Sequence, residues 1–127
     1  MKLVILGETP AKKNEKKFNS RTRTVYTSQH YWEWYESAVV QVRGQCPGQP
    51  KIKKCRIALN FFHGDLRKRD GDNGTSTIFD LLKDCGVIED DNWKNVPHHE
   101  VDNGYAKGNA RVEIDIEEIK DEVQAFK

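Results

Sequence analysis

The chain has 127 residues, which suits one domain with one modest core, and 32% of them are charged. No apolar run approaches the roughly 20 residues that a bilayer-spanning helix needs, so the sequence predicts no membrane segment. The cysteines Cys46, Cys55 and Cys85 are widely spaced and form no CxxC pair. This pattern suggests neither a disulfide framework nor a zinc finger, and we expect a reducing, cytoplasmic compartment.

The net charge of +1 conceals two oppositely charged halves. Residues 1–69 contain 15 Lys or Arg and 5 Asp or Glu, a net +10, whereas residues 70–127 contain 6 and 15, a net −9. Such asymmetry favours a polyanionic partner. The alternative is that the two halves neutralise each other within the fold.

Residues 1–44 predict two strands and one helix. Residues 1–8 and 24–27 have strand composition, and the basic segment 11–23 is expected to be a loop. Ser28 is a suitable N-cap for a helix that runs to about Arg43 and stops at Gly44. Aromatic and apolar residues from Tyr31 to Val42 repeat at helical spacing, which favours core packing over stacking on bases.

Residues 55–119 predict two further strands and a second helix. Residues 55–63 and 110–119 alternate as strands, and 75–85 form an amphipathic helix closed by Gly86. Residues 92–108 are expected to be irregular, and the tail 120–127 is weakly specified. The sequence therefore predicts a single α/β (α+β) domain, with a mixed sheet of about four strands packed against two main helices.

Carboxylates gather around the second helix. Asp70 and Asp72 sit in the loop DGDNG, where side chains two residues apart project to the same side of an extended chain. Two such carboxylates can share Mg²⁺, which prefers oxygen ligands and takes others from substrate phosphates. Ser76 and Asp80 would then follow along the polar face of the helix.

Asp90 and Asp91 lie far along the chain but can return to the same region. The helix from Asp72 to Cys85 spans roughly 20 Å, and residues 86–91 reach roughly 16 Å when extended. In extended backbone the two acids point to opposite sides, so only one is expected to face a metal. The simpler alternative is that DGDNG is an ordinary turn.

The whole arrangement from Arg69 to Asp91 resembles the RusA family of Holliday junction resolvases. The matching stretches are Arg69-Asp70-Gly71-Asp72-Asn73, Asp80-Leu81-Leu82 and Gly86-Val87-Ile88-Glu89-Asp90-Asp91. The resemblance implies a homodimeric endonuclease of phages and prophages that cuts branched DNA symmetrically with Mg²⁺, for which Mn²⁺ can substitute. It implies Asp70, Asp72 and Asp91 as catalytic metal ligands, with Asp80 and Asp90 as supporting acids.

One position departs from the family pattern. A lysine is expected one helical turn after the second aspartate, where this chain has Ser76. A serine cannot neutralise the carboxylates or the charge that develops on phosphate. Lys83, Lys94 and Arg69 are candidates to substitute for it. The alternatives are therefore a weakened or inactive junction- or duplex-binding protein, or a small metal-binding interaction domain.

Cations of the first half are the candidate DNA contacts, because affinity for DNA comes largely from neutralised phosphates. We expect these residues to be Lys12, Lys13, Lys16, Lys17, Arg21, Arg23, Arg67, Lys68 and Arg69.

Overall fold

The computed structural model of the chain describes residues 1–11, 15–69 and 74–120. The predicted site residues Lys12, Lys13, Asp70 and Asp72 lie outside the described residues, as does the tail after residue 120. Within the described residues the elements are β1 (Lys2–Leu6), β2 (Lys16–Asn19), β3 (Thr24–Thr27), α1 (Gln29–Gln45), β4 (Cys55–His63), α2 (Thr75–Asp84), β5 (His98–Tyr105) and β6 (Arg111–Glu118).

The main sheet has four strands in the order β1-β6-β4-β5. Strand β6 is antiparallel to β1 and β4, whereas β5 is parallel to β4. Strands β1, β4 and β5 therefore run in one direction, and their carboxyl ends share one edge of the sheet. The predicted mixed sheet with two main helices is confirmed.

Alternation along the strands creates the core. Leu3 and Ile5 of β1, and Ile57, Leu59 and Phe61 of β4, are buried at every second position. One cluster joins these residues to apolar side chains of both helices and of β6. It includes Ala38 and Val42 of α1, Ile78, Leu81 and Leu82 of α2, and Val112, Ile114 and Ile116 of β6. The helices thus cover one face of the sheet, as expected for a half-buried sheet.

Two glutamines on α1 cover the outer edge of β1. Gln45 accepts a hydrogen bond from the Val4 N–H (2.9 Å) and donates one to the Val4 carbonyl (2.7 Å). One turn earlier, Gln41 accepts from the Leu6 N–H at 2.7 Å. Each amide replaces a missing strand neighbour, so the backbone groups of Val4 and Leu6 at this edge are already paired.

Ser28 caps α1 as predicted, because its hydroxyl oxygen accepts a hydrogen bond from the Tyr31 N–H at 3.3 Å. The predicted stop at Gly44 is wrong, since the helix includes Gly44 and ends at Gln45. The N–H of Cys46 still bonds to the Val42 carbonyl, at 2.7 Å, and a glycine in the last turn is tolerated at modest cost.

Two strands lie where irregular chain was predicted. Residues 98–105 form β5, and residues 16–19 of the basic segment form β2, which pairs with β3 in a separate hairpin. Both strands are almost entirely exposed, so they lack the apolar alternation from which strands are predicted. In the described ranges, no helix is long and apolar enough to cross a membrane.

Candidate functional site

The carboxyl edge of the sheet carries a network centred on Glu8. The ring nitrogen Nδ1 of His63, at the end of β4, lies 2.6 Å from Glu8 Oε2. The N–H of Gly64 donates to Glu8 Oε1 at 3.2 Å, and Arg69 Nη2 lies 3.3 Å from the same oxygen. One carboxylate thereby connects the ends of β1 and β4 to the residue that directly precedes Asp70.

Arg69 is held from several sides. Its guanidinium lies 3.0 Å from Asp65 Oδ1 and donates to the carbonyl oxygen of Arg67 at 3.1 Å. The side chain is 14% exposed. The Arg67 backbone N–H is the main cause that lowers the pKa of the Asp65 carboxyl, and the Arg69 guanidinium adds to it. Arg69 is therefore a structural anchor, whereas Arg67 and Lys68 are exposed.

A pocket of about 280 Å³ lies beside this network. Cations border it on one side, and its other walls come from the start of α2 and the carboxyl edge of the sheet. Its lining includes Glu8, Glu15, His30, Phe61, His63, Arg67, Lys68, Arg69 and Gly74. The pocket is thus lined both by Arg69 and by Gly74 at the start of α2.

The start of α2 is tightly packed against the end of β4. A Cβ atom on Gly74 would lie 2.7 Å from Phe61 Cε1 and 3.0 Å from Thr9 Cγ2, so only glycine fits. Within the first turn, the buried Thr77 hydroxyl donates to the Pro10 carbonyl oxygen at 2.9 Å. The position of the helix is therefore fixed relative to the sheet edge.

Asp80 and Lys83 lie on the polar side of α2, away from the buried Ile78, Leu81 and Leu82. A cavity between the two helices is bordered by Asp80, Lys83 and aromatic residues of α1. The Tyr35 hydroxyl donates a short hydrogen bond to Asp84 there. Burial is the main cause that raises the pKa of Tyr35, and the bond to Asp84 adds to it, so Tyr35 remains a neutral donor.

Beyond α2 the chain reverses at Gly86, as predicted. Gly86 has φ +72°, a left-handed conformation that favours glycine, and the Val87 N–H bonds to the Leu82 carbonyl at 2.9 Å. Ile88 then forms a parallel bridge with Ile52. This reversal returns the following residues toward α2.

The return places two acids beside the last turn of α2. Lys83 Nζ lies 3.9 Å from Asp90 Oδ1 and 3.8 Å from Asp91 Oδ1. The prediction that the two acids point to opposite sides is wrong, because residues 89–92 are not part of a strand and both carboxylates approach the same cation.

Local hydrogen bonds favour the ionised form of Asp90. The Asp91 N–H donates to Asp90 Oδ1 at 2.8 Å, and this bond is the main cause that lowers the pKa of the Asp90 carboxyl. The side-chain amide of Asn92 donates to Oδ2 at 3.1 Å, and Lys83 contributes its charge. Asp90 is thereby held as a carboxylate, the form that repels a neighbouring carboxylate unless a cation is present.

The described residues contain only part of the predicted acidic cluster. Asp80, Asp90 and Asp91 are described, and the last two meet at Lys83. In the ranges 1–11, 15–69 and 74–120, no three or more His, Cys, Asp or Glu residues form a group able to hold a metal ion. The predicted ligand set needs Asp70 and Asp72, which lie outside those ranges.

Glu8 and His63 were absent from the predicted site. Their contact joins residues 55 positions apart, so no local pattern along the chain indicates it. Of the three cations predicted to substitute for a lysine at position 76, only Lys83 has a described contact with Asp90 or Asp91. Arg69 pairs with Glu8 and Asp65, and Lys94 lies over the ring of Trp93.

Comparison with known proteins gives two consistent matches. The family model described as "Endodeoxyribonuclease RusA" matches residues 8–117, which include all elements from β2 to β5 and most of β6. A protein of Aquifex aeolicus (strain VF5), named "Crossover junction endodeoxyribonuclease RusA", is 24% identical over 87 residues, which cover 68% of this chain and 69% of that protein. The chain therefore belongs to the RusA family of endodeoxyribonucleases.

Proposed function

We propose that this chain is a Mg²⁺-dependent, structure-selective endonuclease that resolves four-way DNA junctions by paired symmetric nicks, in recombination and repair. The observation that carries the proposal is the return of Asp90 and Asp91 to Lys83 on α2, in a chain of the RusA family. Metal-dependent phosphodiester hydrolysis needs acids from separate segments at one site, and the return of Asp90 and Asp91 to the helix that carries Asp80 supports such an arrangement. We propose that it acts in the cytoplasm of a bacterial or phage-infected cell.

The proposed metal ligands are Asp70, Asp72 and Asp91, with Asp80 and Asp90 as supporting acids. Carboxylate oxygens suit Mg²⁺, and Mn²⁺ accepts the same ligands. The described part of this set fits the ion, since Asp91 is a partly exposed carboxylate beside a second acid. When bound, Mg²⁺ would supply positive charge for the phosphate and promote ionisation of the attacking water.

Lys83 is the residue that we assign to the role left open by Ser76. Ser76 and Lys83 are seven residues apart on α2, which is two helical turns, so they lie along the same side of the helix. A cation near Asp90 and Asp91 reduces their mutual repulsion and stabilises negative charge that develops on phosphate. This assignment favours an active enzyme over the alternative of a binding protein without turnover.

The exposed cations Lys16, Lys17, Arg21, Arg23, Arg67 and Lys68 are the proposed phosphate contacts in the described chain. We propose the same role for Lys12 and Lys13. Arg69 would act mainly by holding the segment before Asp70, because its charge is already paired with Glu8 and Asp65.

Two copies of the chain, related by a two-fold axis, would match the near-symmetry of a four-way junction. Each copy would cut one of two opposing strands. The homodimer also explains why nicks should occur in pairs.

The test is cleavage of a labelled four-way junction and a linear duplex of the same sequence, in Mg²⁺ and in EDTA. The proposal predicts cleavage of the junction only, and only in Mg²⁺. Junction binding without cleavage in Mg²⁺ or Mn²⁺ would support the inactive alternative. Failure to bind either DNA at low salt would contradict both and favour the small metal-binding interaction domain.

A further inference from the structure

The β2–β3 hairpin leaves three large apolar side chains at least half exposed. Phe18 and Val25 are each 64% exposed, and Tyr26 is 50% exposed. Phe18 and Val25 are direct partners in the strand register, so they lie side by side on one face of the hairpin. Tyr26 pairs with Lys17 and lies on the opposite face.

This hairpin is poorly supported by the rest of the fold. It forms a sheet of its own, and both strands lie outside the hydrophobic core. A two-stranded hairpin is only marginally stable alone, and exposed apolar groups do not contribute to holding it together. Its base is tied by the Ser28 N–H, which donates to the Glu15 carbonyl at 2.7 Å, and by the Ser28 hydroxyl, which donates to Glu15 Oε2 at 2.6 Å.

The positive charge of the hairpin favours a polyanionic partner. Four exposed cations lie on the hairpin, and no Asp or Glu occurs from Lys16 to Thr27. The cations are Lys16, Lys17, Arg21 and Arg23. If two hairpins packed across a two-fold axis, the four cations of one would repel the four cations of the other. A polyanion would instead neutralise them. A nucleic acid therefore fits the surface better than a second copy of the chain.

The hairpin base is continuous with the basic pocket of the site. Glu15, which directly precedes β2, and His30, in the first turn of α1, line that pocket together with Arg67 and Lys68. A DNA strand whose phosphates contact Arg67 and Lys68 is thus directed toward the hairpin.

We propose that the hairpin contacts the branch point of the DNA, where Phe18 stacks on a base that is unpaired or unstacked, while the hairpin cations bind the flanking phosphates. This inference rests on the proposed function and extends it to substrate selection. Bases inside a linear duplex are already stacked on both faces, whereas a branch point exposes base faces to an incoming ring. Stacking of this kind tolerates any sequence, since every base has an aromatic face.

The experiment measures affinity for a four-way junction and for a linear duplex in Ca²⁺, so that cleavage does not interfere. Phe18→Ala should weaken junction binding by about 5- to 100-fold, from the usual contribution of one base–aromatic stack, and leave duplex binding unchanged. Phe18→Trp should retain junction affinity. Phe18→Leu should weaken junction binding almost as much as Phe18→Ala does. Val40→Ala removes another exposed apolar side chain, on α1, and should have no effect.

Several results would overturn the inference. Equal junction affinity of Phe18→Ala and the unaltered protein would show that the ring is not used, and equal affinity of Phe18→Leu would exclude stacking. A Phe18→Ala protein that becomes monomeric in sedimentation would assign the surface to a second copy. If the unaltered protein cuts junctions and Phe18→Ala binds them with unchanged affinity, only this inference fails. If the unaltered protein binds no junction, the proposed function fails as well.

Discussion

Lys83 Nζ lies 3.8 Å from Oδ1 of Asp91, so the last turn of α2 brings a cation to an acid that follows eight residues later. The left-handed conformation of Gly86 makes this contact possible, because it reverses the chain immediately after the helix. A cation therefore lies beside Asp90 and Asp91, two of the proposed site acids.

The first prediction concerns Lys83 as a substitute for the missing lysine. Lys83→Gln should lower the junction cleavage rate at saturating Mg²⁺ by about 10- to 100-fold, because a charge near the reacting phosphate is lost. Binding in Ca²⁺ should change little. Introducing Ser76→Lys into the Lys83→Gln protein should restore part of the rate.

Lys94→Gln is the matched control for Lys83→Gln. Lys94 follows Asp91 by three residues, and its ammonium group lies over the Trp93 ring, 5.7 Å from the ring centroid. Its loss should leave the cleavage rate close to that of the unaltered protein. A fully active Lys83→Gln protein would remove Lys83 from the mechanism.

The second prediction distinguishes the two acids that meet at Lys83. Asp91→Asn should abolish cleavage and leave or strengthen junction binding, because one repulsive charge is removed while a proposed metal ligand is lost. Asp90→Asn should slow cleavage less. Initial rates across a Mg²⁺ titration, beside binding isotherms in Ca²⁺, measure both effects; a larger loss for Asp90→Asn would reverse the assignment.

The third prediction concerns the carboxylate of Glu8. Glu8→Gln should lower the free energy of unfolding by about 1–3 kcal/mol, because the partly buried His63 and Arg69 lose their charged acceptor. Cleavage should also slow, since Arg69 directly precedes Asp70. Urea denaturation and cleavage rates provide the test, and unchanged values for both would show that the network is dispensable.

The fourth prediction uses two glycines in opposite surroundings. Gly74→Ala should destabilise the fold by about 1–3 kcal/mol, since the added methyl group would overlap Phe61 and Thr9. Gly44→Ala meets nothing within 4 Å and lies inside α1, so it should stabilise the fold by about 0.5–1 kcal/mol. Thermal unfolding of the two variants should therefore shift in opposite directions.

The features that were predictable from sequence depend on neighbours along the chain. Capping by Ser28, the glycine turn at Gly86 and the alternation of β4 and β6 are all local, and each is confirmed. Strand β5 could not be predicted, because its sequence HHEVDNGY is polar and its strand identity comes from pairing with β4. The contacts of Glu8 with His63 and Arg69 depend on strand order, which no short pattern encodes.

The approach of Asp91 to α2 lies between these two cases. The length of the segment allowed the return of Asp91 to α2, and the resemblance to the RusA family implied it. The directions of the Asp90 and Asp91 side chains were predicted wrongly, because an extended backbone was assumed. The bonds from the Asp91 N–H and the Asn92 amide to Asp90 set that local geometry instead.

The most direct test of paired, metal-dependent junction cleavage is a supercoiled plasmid that extrudes a cruciform, incubated with the protein in Mg²⁺. Two nicks on opposing strands at the same junction yield linear plasmid, whereas a single nick relaxes the plasmid and the cruciform is reabsorbed. We predict linear product as the first product with the unaltered protein, and none with Asp72→Asn or in EDTA. Nicked circles alone, or linear product from Asp72→Asn, would contradict the proposed function.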